Sequence, residues 1–229
     1  MKLLPSRNIP ITRWRAKTQW RLSWASVPAL LLGLWLFGTG EAMLINAGIG
    51  VSPWTVLAQG LSIRTGMLIG TATIVISVVV LLLWIPLKQK PGVGTIANIL
   101  VIAVALQVML IVLPTPSAVG WQLLQAVLGT AAVGLGSGFY LTAGAGPGPR
   151  DGWMTGMHNR FGWPVWVIRS VIEAVVLVLG WLLGGEVGIG TVIFLLLIGP
   201  FVGYGLAIAG WLGGAHTFVQ EDVHPELEA

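Results

Sequence analysis

The sequence predicts an all-α polytopic membrane protein with six full transmembrane helices and two short, broken or re-entrant helices, built from two homologous repeats. Of the 229 residues, 55% are hydrophobic and 9% are charged, and the mean hydropathy is +0.88. This leaves too few polar groups to cover a water-soluble globule. The apolar stretches lack the alternation of apolar and polar residues that membrane β-barrel strands require. We therefore expect helices in a lipid bilayer.

Eight segments give the predicted helices. Six apolar stretches are each near the length that crosses about 30 Å of hydrocarbon, and they cover residues 25–46, 67–86, 92–113, 118–142, 164–183 and 188–212. Two further segments, 53–63 and 149–160, would extend only about 16 to 18 Å as helices. Each begins with a proline, which a helix start tolerates, and ends before a glycine that can cap it. We expect these two segments to enter the membrane without crossing it.

Polar segments flank the predicted membrane domain, 25–212. Six of the twelve Lys and Arg lie in residues 1–24 among three tryptophans, which indicates a basic arm on the cytoplasmic face against anionic headgroups. No other feature resembles a nucleic-acid-binding fold, so no nucleic-acid partner is expected. Residues 213–229 contain four acids and predict an acidic cytoplasmic tail. A metal site formed there by His216, His224, Glu221 and Asp222 is the less favoured interpretation.

A gapless offset of 96 residues relates the two halves of the chain. It aligns AGIGVSPWTVLAQGLSIRTG at 47–66 with AGAGPGPRDGWMTGMHNRFG at 143–162, and GVGT at 92–95 with GIGT at 188–191. A single offset that holds over this length indicates a duplication. We predict repeat one at about 27–113 and repeat two at about 118–210, together forming one membrane domain.

The number of crossings in each repeat decides the topology. If the short segments return to the side they entered from, each half has three spans and the halves are inverted. Lys and Arg near span ends are retained in the cytoplasm. The inverted arrangement leaves Arg64 alone outside and puts the arm inside with Lys88, Lys90, Arg150 and Arg160. We therefore expect inverted repeats with both termini cytoplasmic, and parallel repeats are the alternative.

The repeated motifs resemble the bacterial YczE/YitT-like family of multi-spanning membrane proteins. The resemblance rests on AGIGVSPW at 47, AGAGPGPRDG at 143, the RTG and RFG that close the short segments, and the GVGT and GIGT pair. It covers nearly all of residues 27–210 and is closest to the YczE branch. It implies a compact protein of the bacterial inner membrane, without the soluble carboxy-terminal domain of YitT-type relatives. It implies no settled activity and therefore transfers no site residues.

Charged residues at membrane depth give the candidate site, because a charge there costs several kcal/mol unless it is paired or hydrated. A broken helix beside a glycine loop, with its positive amino end in the bilayer, is how transporters hold an anionic group. The substrate-binding candidates are Glu41, Arg150, Asp151, Arg169 and Glu173, with Gly144, Gly146 and Gly148 of the loop. In the alternative interpretation, Arg169 and Glu173 are a structural pair, and Arg150 and Asp151 belong to a polar surface loop.

These features favour a small secondary transporter for an anionic or zwitterionic solute, with proton coupling through Glu173, Asp151 or Glu41. The alternative is an accessory membrane protein that assists or anchors a partner or a biosynthetic complex through its basic, Trp-rich arm. We expect no enzyme, because the sequence contains no HExxH, no nucleophile with a base and no dense carboxylate cluster. The chain has no cysteine, which excludes disulfides and thiolate chemistry. No cofactor or metal is expected, and the partners are the lipid bilayer and possible further copies in a homo-oligomer.

Overall fold

The computed structural model describes residues 9–215 and the backbone of 218–219, and it contains eight α-helices. They are α1 (Ser26–Ala47), α2 (Pro53–Thr65), α3 (Ile69–Leu82), α4 (Val93–Val112), α5 (Val119–Thr142), α6 (Pro149–Phe161), α7 (Val165–Leu182) and α8 (Ile189–Leu212). Two-residue strands, β1 (Ile9–Pro10) and β2 (Phe218–Val219), pair antiparallel. The prediction of a polytopic helical membrane protein is confirmed. The metal site considered for the tail lies outside the described residues, as do Lys2 and Arg7 of the arm.

Five helices, α1, α4, α5, α7 and α8, are long and apolar enough to cross a bilayer. The span predicted at 67–86 is shorter, since α3 has 14 residues and extends only about 21 Å. The chain leaves the helix in a series of turns before Pro86, and Trp84 turns inward to donate its indole N–H to the Pro149 carbonyl at 2.9 Å. Helices α2 and α3 meet at 114° and count as a sixth span only if this bent pair is taken as one.

Four long helices, α1, α4, α5 and α8, form the core of the bundle. Glycines bring α1 against α5, because a Cβ at Gly33 would lie 2.7 Å from the Gly136 carbonyl oxygen, and Gly40 meets Gly129 in the same way. Gly40 follows Gly33 along α1, whereas its partner Gly129 precedes Gly136 along α5, so the two helices are antiparallel. Gly138 of α5 packs on Gly205 of α8. Small residues at these crossings allow the close approach on which helix association in membranes depends.

The other four helices form a second layer beside this core. Helix α2 packs along α7, where a Cβ at Gly60 would lie 2.5 Å from the Gly180 carbonyl oxygen. Helix α3 contacts α4 and α6, and α6 also contacts α7. The ends of the short helices are fixed by arginines that donate to backbone carbonyls, Arg64 to Leu183 at 3.2 Å and Arg160 to Pro86 at 3.1 Å. The two layers enclose the space described below.

Glycines that are 96 positions apart adopt matching backbone conformations. The φ values are 63° and 64° at Gly48 and Gly144, 104° and 108° at Gly50 and Gly146, and 73° and 70° at Gly66 and Gly162. The contacts also correspond, but they cross between the halves. The N–H of Gly190 donates to the Ile49 carbonyl at 2.7 Å, and the N–H of Gly94 donates to the Ala145 carbonyl at 2.7 Å. Each glycine loop therefore rests on the first turn of a long helix from the other half.

The described part of the basic arm crosses one end of the bundle without helical structure and makes turns at 12–15 and 18–21. We call this the arm end: α1 and α4 begin there, and α5 and α8 finish there. Alternate side chains point inward, and these are Thr12, Trp14 and Ala16; those of Arg13, Arg15 and Lys17 are exposed. The indole N–H of Trp14 donates to the Thr142 hydroxyl at 3.2 Å, and the Thr12 hydroxyl donates to the Thr142 carbonyl at 3.1 Å. The arm is thus packed onto the bundle and presents its basic side chains outward.

Candidate functional site

A cavity of about 150 Å³ lies between the two layers, and all eight helices contribute to its wall. An apolar cavity of this volume in another protein accommodates benzene, so the space suits a solute of roughly that size. Its wall combines apolar side chains of the core helices with a polar side from α3, α4, α6 and α7. Four of the sequence-predicted charges line it, and they are Arg150, Asp151, Arg169 and Glu173.

Arg150 presents unoccupied hydrogen-bond donors to this cavity. It is the second residue of α6, after Pro149, and its guanidinium carbon lies 4.9 Å from the ring centroid of Trp54 on α2. Within residues 9–215, no acceptor lies within hydrogen-bonding distance of its guanidinium group, and the side chain is half-buried. Arginine has five N–H donors in a planar fork that matches carboxylate geometry. The aromatic contact holds the cation in place and leaves those donors directed at the cavity.

Asp151 follows Arg150 and is bonded to the core layer. Its carboxylate accepts a short hydrogen bond from the hydroxyl of Tyr140 on α5. It stands in the first turn of α6, where the helix dipole stabilises negative charge. The bond joins the start of α6 to a long core helix, so the core helps to set the positions of Arg150 and Asp151.

Arg169 and Glu173 form an ion pair one turn apart on α7, with Nε and Oε1 separated by 2.8 Å. The Arg169 side chain is 45% exposed and that of Glu173 is 16% exposed. Both border the cavity. The pair is therefore in contact with the space where a solute fits, and it is not enclosed in a dry helix interface.

Glu41 lies behind the cavity wall and is 1% exposed. Its two carboxylate oxygens accept hydrogen bonds from the Ser52 hydroxyl at 3.0 and 2.8 Å, and one of them accepts from the Thr55 hydroxyl at 2.7 Å. Ser52 and Thr55 occupy the N-cap and third positions of α2, where a carboxylate is stabilised by the helix dipole. Ser52 also lines the cavity, so a single hydroxyl separates Glu41 from the site.

The three candidate glycines have different surroundings. Gly148 lines the cavity. Gly144 and Gly146 do not, because a Cβ at Gly144 would meet Arg15 of the arm at 2.8 Å and one at Gly146 would meet Gly92 at 3.1 Å. These two glycines permit close packing of the loop, whereas Gly148 brings backbone to the site.

Sequence reasoning missed Trp54 and Tyr140 as site residues. One signal for Trp54 was present, since the offset of 96 aligns it with Arg150, and these two aligned residues are in contact. Nothing in the sequence pointed to Tyr140, whose role depends on a hydrogen bond across the loop. With Glu41 included, the site holds two arginines and three carboxyl groups.

Comparison with known proteins identifies the family of this chain. Residues 24–206 match the profile of the family described as "Family of unknown function (DUF6198)". An uncharacterized protein of Haemophilus influenzae is 41% identical over 202 residues, which cover 88% of this chain and 93% of that protein. The uncharacterized membrane protein YczE of Bacillus subtilis is 28% identical over 189 residues, covering 82% and 85% of the two chains. YyaS of the same organism is 25% identical over 172 residues, covering 73% and 86%. No solved structure gives a significant match. The resemblance to YczE-like proteins is confirmed.

Proposed function

We propose that this chain, which belongs to the DUF6198 family of unknown function, is a small secondary transporter for an anionic or zwitterionic solute in the bacterial inner membrane. The observation that carries the proposal is Arg150. Its guanidinium group has no hydrogen-bonded partner among residues 9–215 and faces a cavity between two helical layers. A charge with open donors at membrane depth is favourable only if water or a ligand occupies the space.

The relation between the two halves supports a transport mechanism. Helix α5 is antiparallel to α1, its counterpart at the offset of 96, through the Gly33 and Gly136 contact. The short helix α2 finishes next to the end of α7 through Arg64, and α6 finishes next to the end of α3 through Arg160. These contacts favour two inverted repeats whose short helices enter from opposite faces. Inverted repeats with broken helices at the midplane are the usual basis of alternating access.

The distribution of exposed basic side chains supports an orientation with the arm end in the cytoplasm. Among the described residues, the arm end carries seven such side chains, at Arg13, Arg15, Lys17, Arg21, Lys88, Lys90 and Arg160. The opposite end carries Arg64, which donates to the Leu183 carbonyl, three residues before Glu186. Because Lys and Arg flanking spans are retained in the cytoplasm, both termini are proposed to lie on that side.

The chemistry of the wall favours a small carboxylate or amino acid as the solute. A carboxylate would accept from Arg150 and from the amide of Asn98, which also lines the cavity. An amino group, where the solute has one, would lie near Asp151 or Glu173. The volume of about 150 Å³ limits the solute to roughly the size of benzene.

Thermal stabilisation of the purified protein by a panel of small monocarboxylates and amino acids tests the proposal. At least one compound should raise the melting temperature, and Arg150→Ala should weaken its binding by about tenfold to a hundredfold, since a hydrogen bond to a charged group contributes about 1.5 to 3 kcal/mol. Arg150→Lys should retain part of the affinity. Arg13→Ala removes an exposed arginine of the arm and is the matched control. The proposal fails if no compound stabilises the wild type, or if Arg150→Ala binds as the wild type does.

The accessory function is favoured by one observation, the outward basic face of the arm. A partner could bind Arg13, Arg15 and Lys17 without disturbing Thr12 and Trp14, which hold the arm to the bundle. Changing the three basic residues to glutamine separates the two functions. If the cellular role is lost in this triple variant and survives Arg150→Ala, the accessory function is supported and the transport function is excluded.

A further inference from the structure

We infer that Glu41 is a protonation site coupled to the anion position at Arg150, so that the solute is carried together with one proton. This inference rests on the proposed transport function and assigns the coupling to one of the three carboxyl groups that the sequence left open. Glu173 already forms an ion pair with Arg169, and Asp151 accepts from Tyr140. Glu41 has hydroxyl donors and, among the described residues, no ion-pair partner within 4 Å.

The hydrogen bonds around Glu41 fit both protonation states. In the ionised state, the Ser52 hydroxyl can donate to Oε1 at 3.0 Å while the Thr55 hydroxyl donates to Oε2 at 2.7 Å. Because a hydroxyl oxygen also accepts, the contact between Ser52 Oγ and Oε1 can carry a hydrogen bond in the opposite direction. When Oε1 is protonated, it donates to Ser52 Oγ, and the Ser52 hydrogen points into the cavity. In both states, each carboxyl oxygen of Glu41 has a hydrogen-bond partner.

Ser52 also gives the proton a path, because this residue lines the cavity and its hydroxyl bonds to Glu41. A hydronium ion in the cavity gives its proton to Ser52 Oγ while the Ser52 hydrogen passes to Oε1 of Glu41. The products are a water molecule, a neutral serine and a neutral carboxylic acid. The reverse step returns the proton to water. No oxidant, metal or further reactant is needed.

Arg150 connects this proton to the solute. Arg150 borders the same cavity as Ser52, and it stacks on Trp54, which lies between the two α2 residues whose hydroxyls bond to Glu41. The helices packed around Glu41 supply no other charge close to it. Helices α4 and α5 contain no Asp, Glu, Lys or Arg, and the Tyr140 hydroxyl of α5 is bonded to Asp151. The only charged residue of α2 is Arg64, which lies at the far end of that helix. In the empty site the carboxylates of Glu41 and Asp151 both offset the charge of Arg150. An anion bound to Arg150 offsets that charge as well and repels the Glu41 carboxylate, which favours protonation of Glu41. The coupling is reciprocal, so protonation also tightens anion binding.

Binding of formate, acetate and benzoate to the full chain in lipid nanodiscs, measured across a pH series, tests the inference. In the wild type, the affinity for an anion that binds should rise by up to about tenfold per pH unit as the pH falls, which is the slope for one coupled proton. Glu41→Gln fixes the neutral state and should bind tightly at every pH, without this slope. Glu186→Gln removes a carboxyl group near the opposite end of α2 and should keep the wild-type slope.

The outcomes separate this inference from the transport function. If an anion binds through Arg150 and Glu41→Gln keeps the wild-type slope, Glu41 is not the coupled site and the transport function stands. If none of the three anions binds to either protein at any pH, the transport function fails for small carboxylates and the coupling fails with it. Proton uptake by the wild type in weak buffer is independent of how the variant folds. About one proton per bound anion is expected, and no uptake overturns the inference.

Discussion

Replacing Gly136 with alanine tests whether the contact between α1 and α5 limits the stability of the core. A Cβ at Gly136 would lie 2.5 Å from the Gly33 carbonyl oxygen and 2.7 Å from the backbone nitrogen of Phe37, whereas ordinary contact begins at 3.4 Å. Both neighbours are backbone atoms of a helix, so they cannot rotate away and α1 must shift by roughly 1 Å. Overpacking of this kind costs about 1 to 3 kcal/mol.

Gly120 is the matched control, because it lies in the same helix and no atom of the described residues comes within 4 Å of a Cβ built there. Gly120→Ala should be neutral or stabilise by up to about 1 kcal/mol. Tryptophan fluorescence during heating in one detergent compares the two variants. For a chain of this length, 1 kcal/mol corresponds to roughly 2 to 4 °C, so Gly136→Ala should melt about 2 to 12 °C below the wild type. If Gly136→Ala melts as high as Gly120→Ala, the glycines do not set the separation of these helices.

Two further substitutions test the contacts that fix the glycine loops. Trp84→Phe keeps an aromatic ring but leaves the Pro149 carbonyl without the indole donor at 2.9 Å. This variant should be less stable than the wild type by about 1 to 3 kcal/mol. An unchanged melting temperature would show that the bond does not hold the start of α6. Gly50→Ala adds a Cβ 2.8 Å from the Gly188 Cα at a φ of +104°, whereas Gly48→Ala meets no described atom at a φ of +63°. Gly48→Ala should lose about 1 to 2 kcal/mol from the left-handed conformation alone, and Gly50→Ala should lose more by the same melting assay. Equal losses would show that the crossed contact contributes nothing.

The short helices were predictable from the sequence because their boundaries depend on local residues. The segment expected at 149–160 is observed as Pro149–Phe161, with Pro149 at its first position and Gly162 in a left-handed cap. Proline and glycine act on the backbone where they stand. The span expected at 67–86 was too long at its carboxy-terminal end, because α3 finishes at Leu82. Its composition stays apolar up to Ile85, and the bond from Trp84 to Pro149 joins residues 65 positions apart, which no local pattern contains.

In the candidate site too, some features could be predicted from the sequence and others depend on tertiary packing. Its charges were identifiable from the sequence, because Arg150, Asp151, Arg169 and Glu173 stand out in an apolar chain. That Glu41 lies behind Ser52, and that Gly144 packs against the arm, could not be predicted. Those positions depend on how the two layers pack.

The sequence by itself determined that this protein is a multi-pass helical membrane protein, since burial in lipid requires long apolar helices with few charges. It also determined where most helices begin and end. The tertiary structure alone decided that Arg150 of α6 stacks on Trp54 of α2 with open donors, whereas Arg169 and Glu173 pair one turn apart on the same helix. The physical reason is that hydrophobic length and backbone propensity act along the chain, whereas the pairing of a buried charge depends on groups brought together from distant helices.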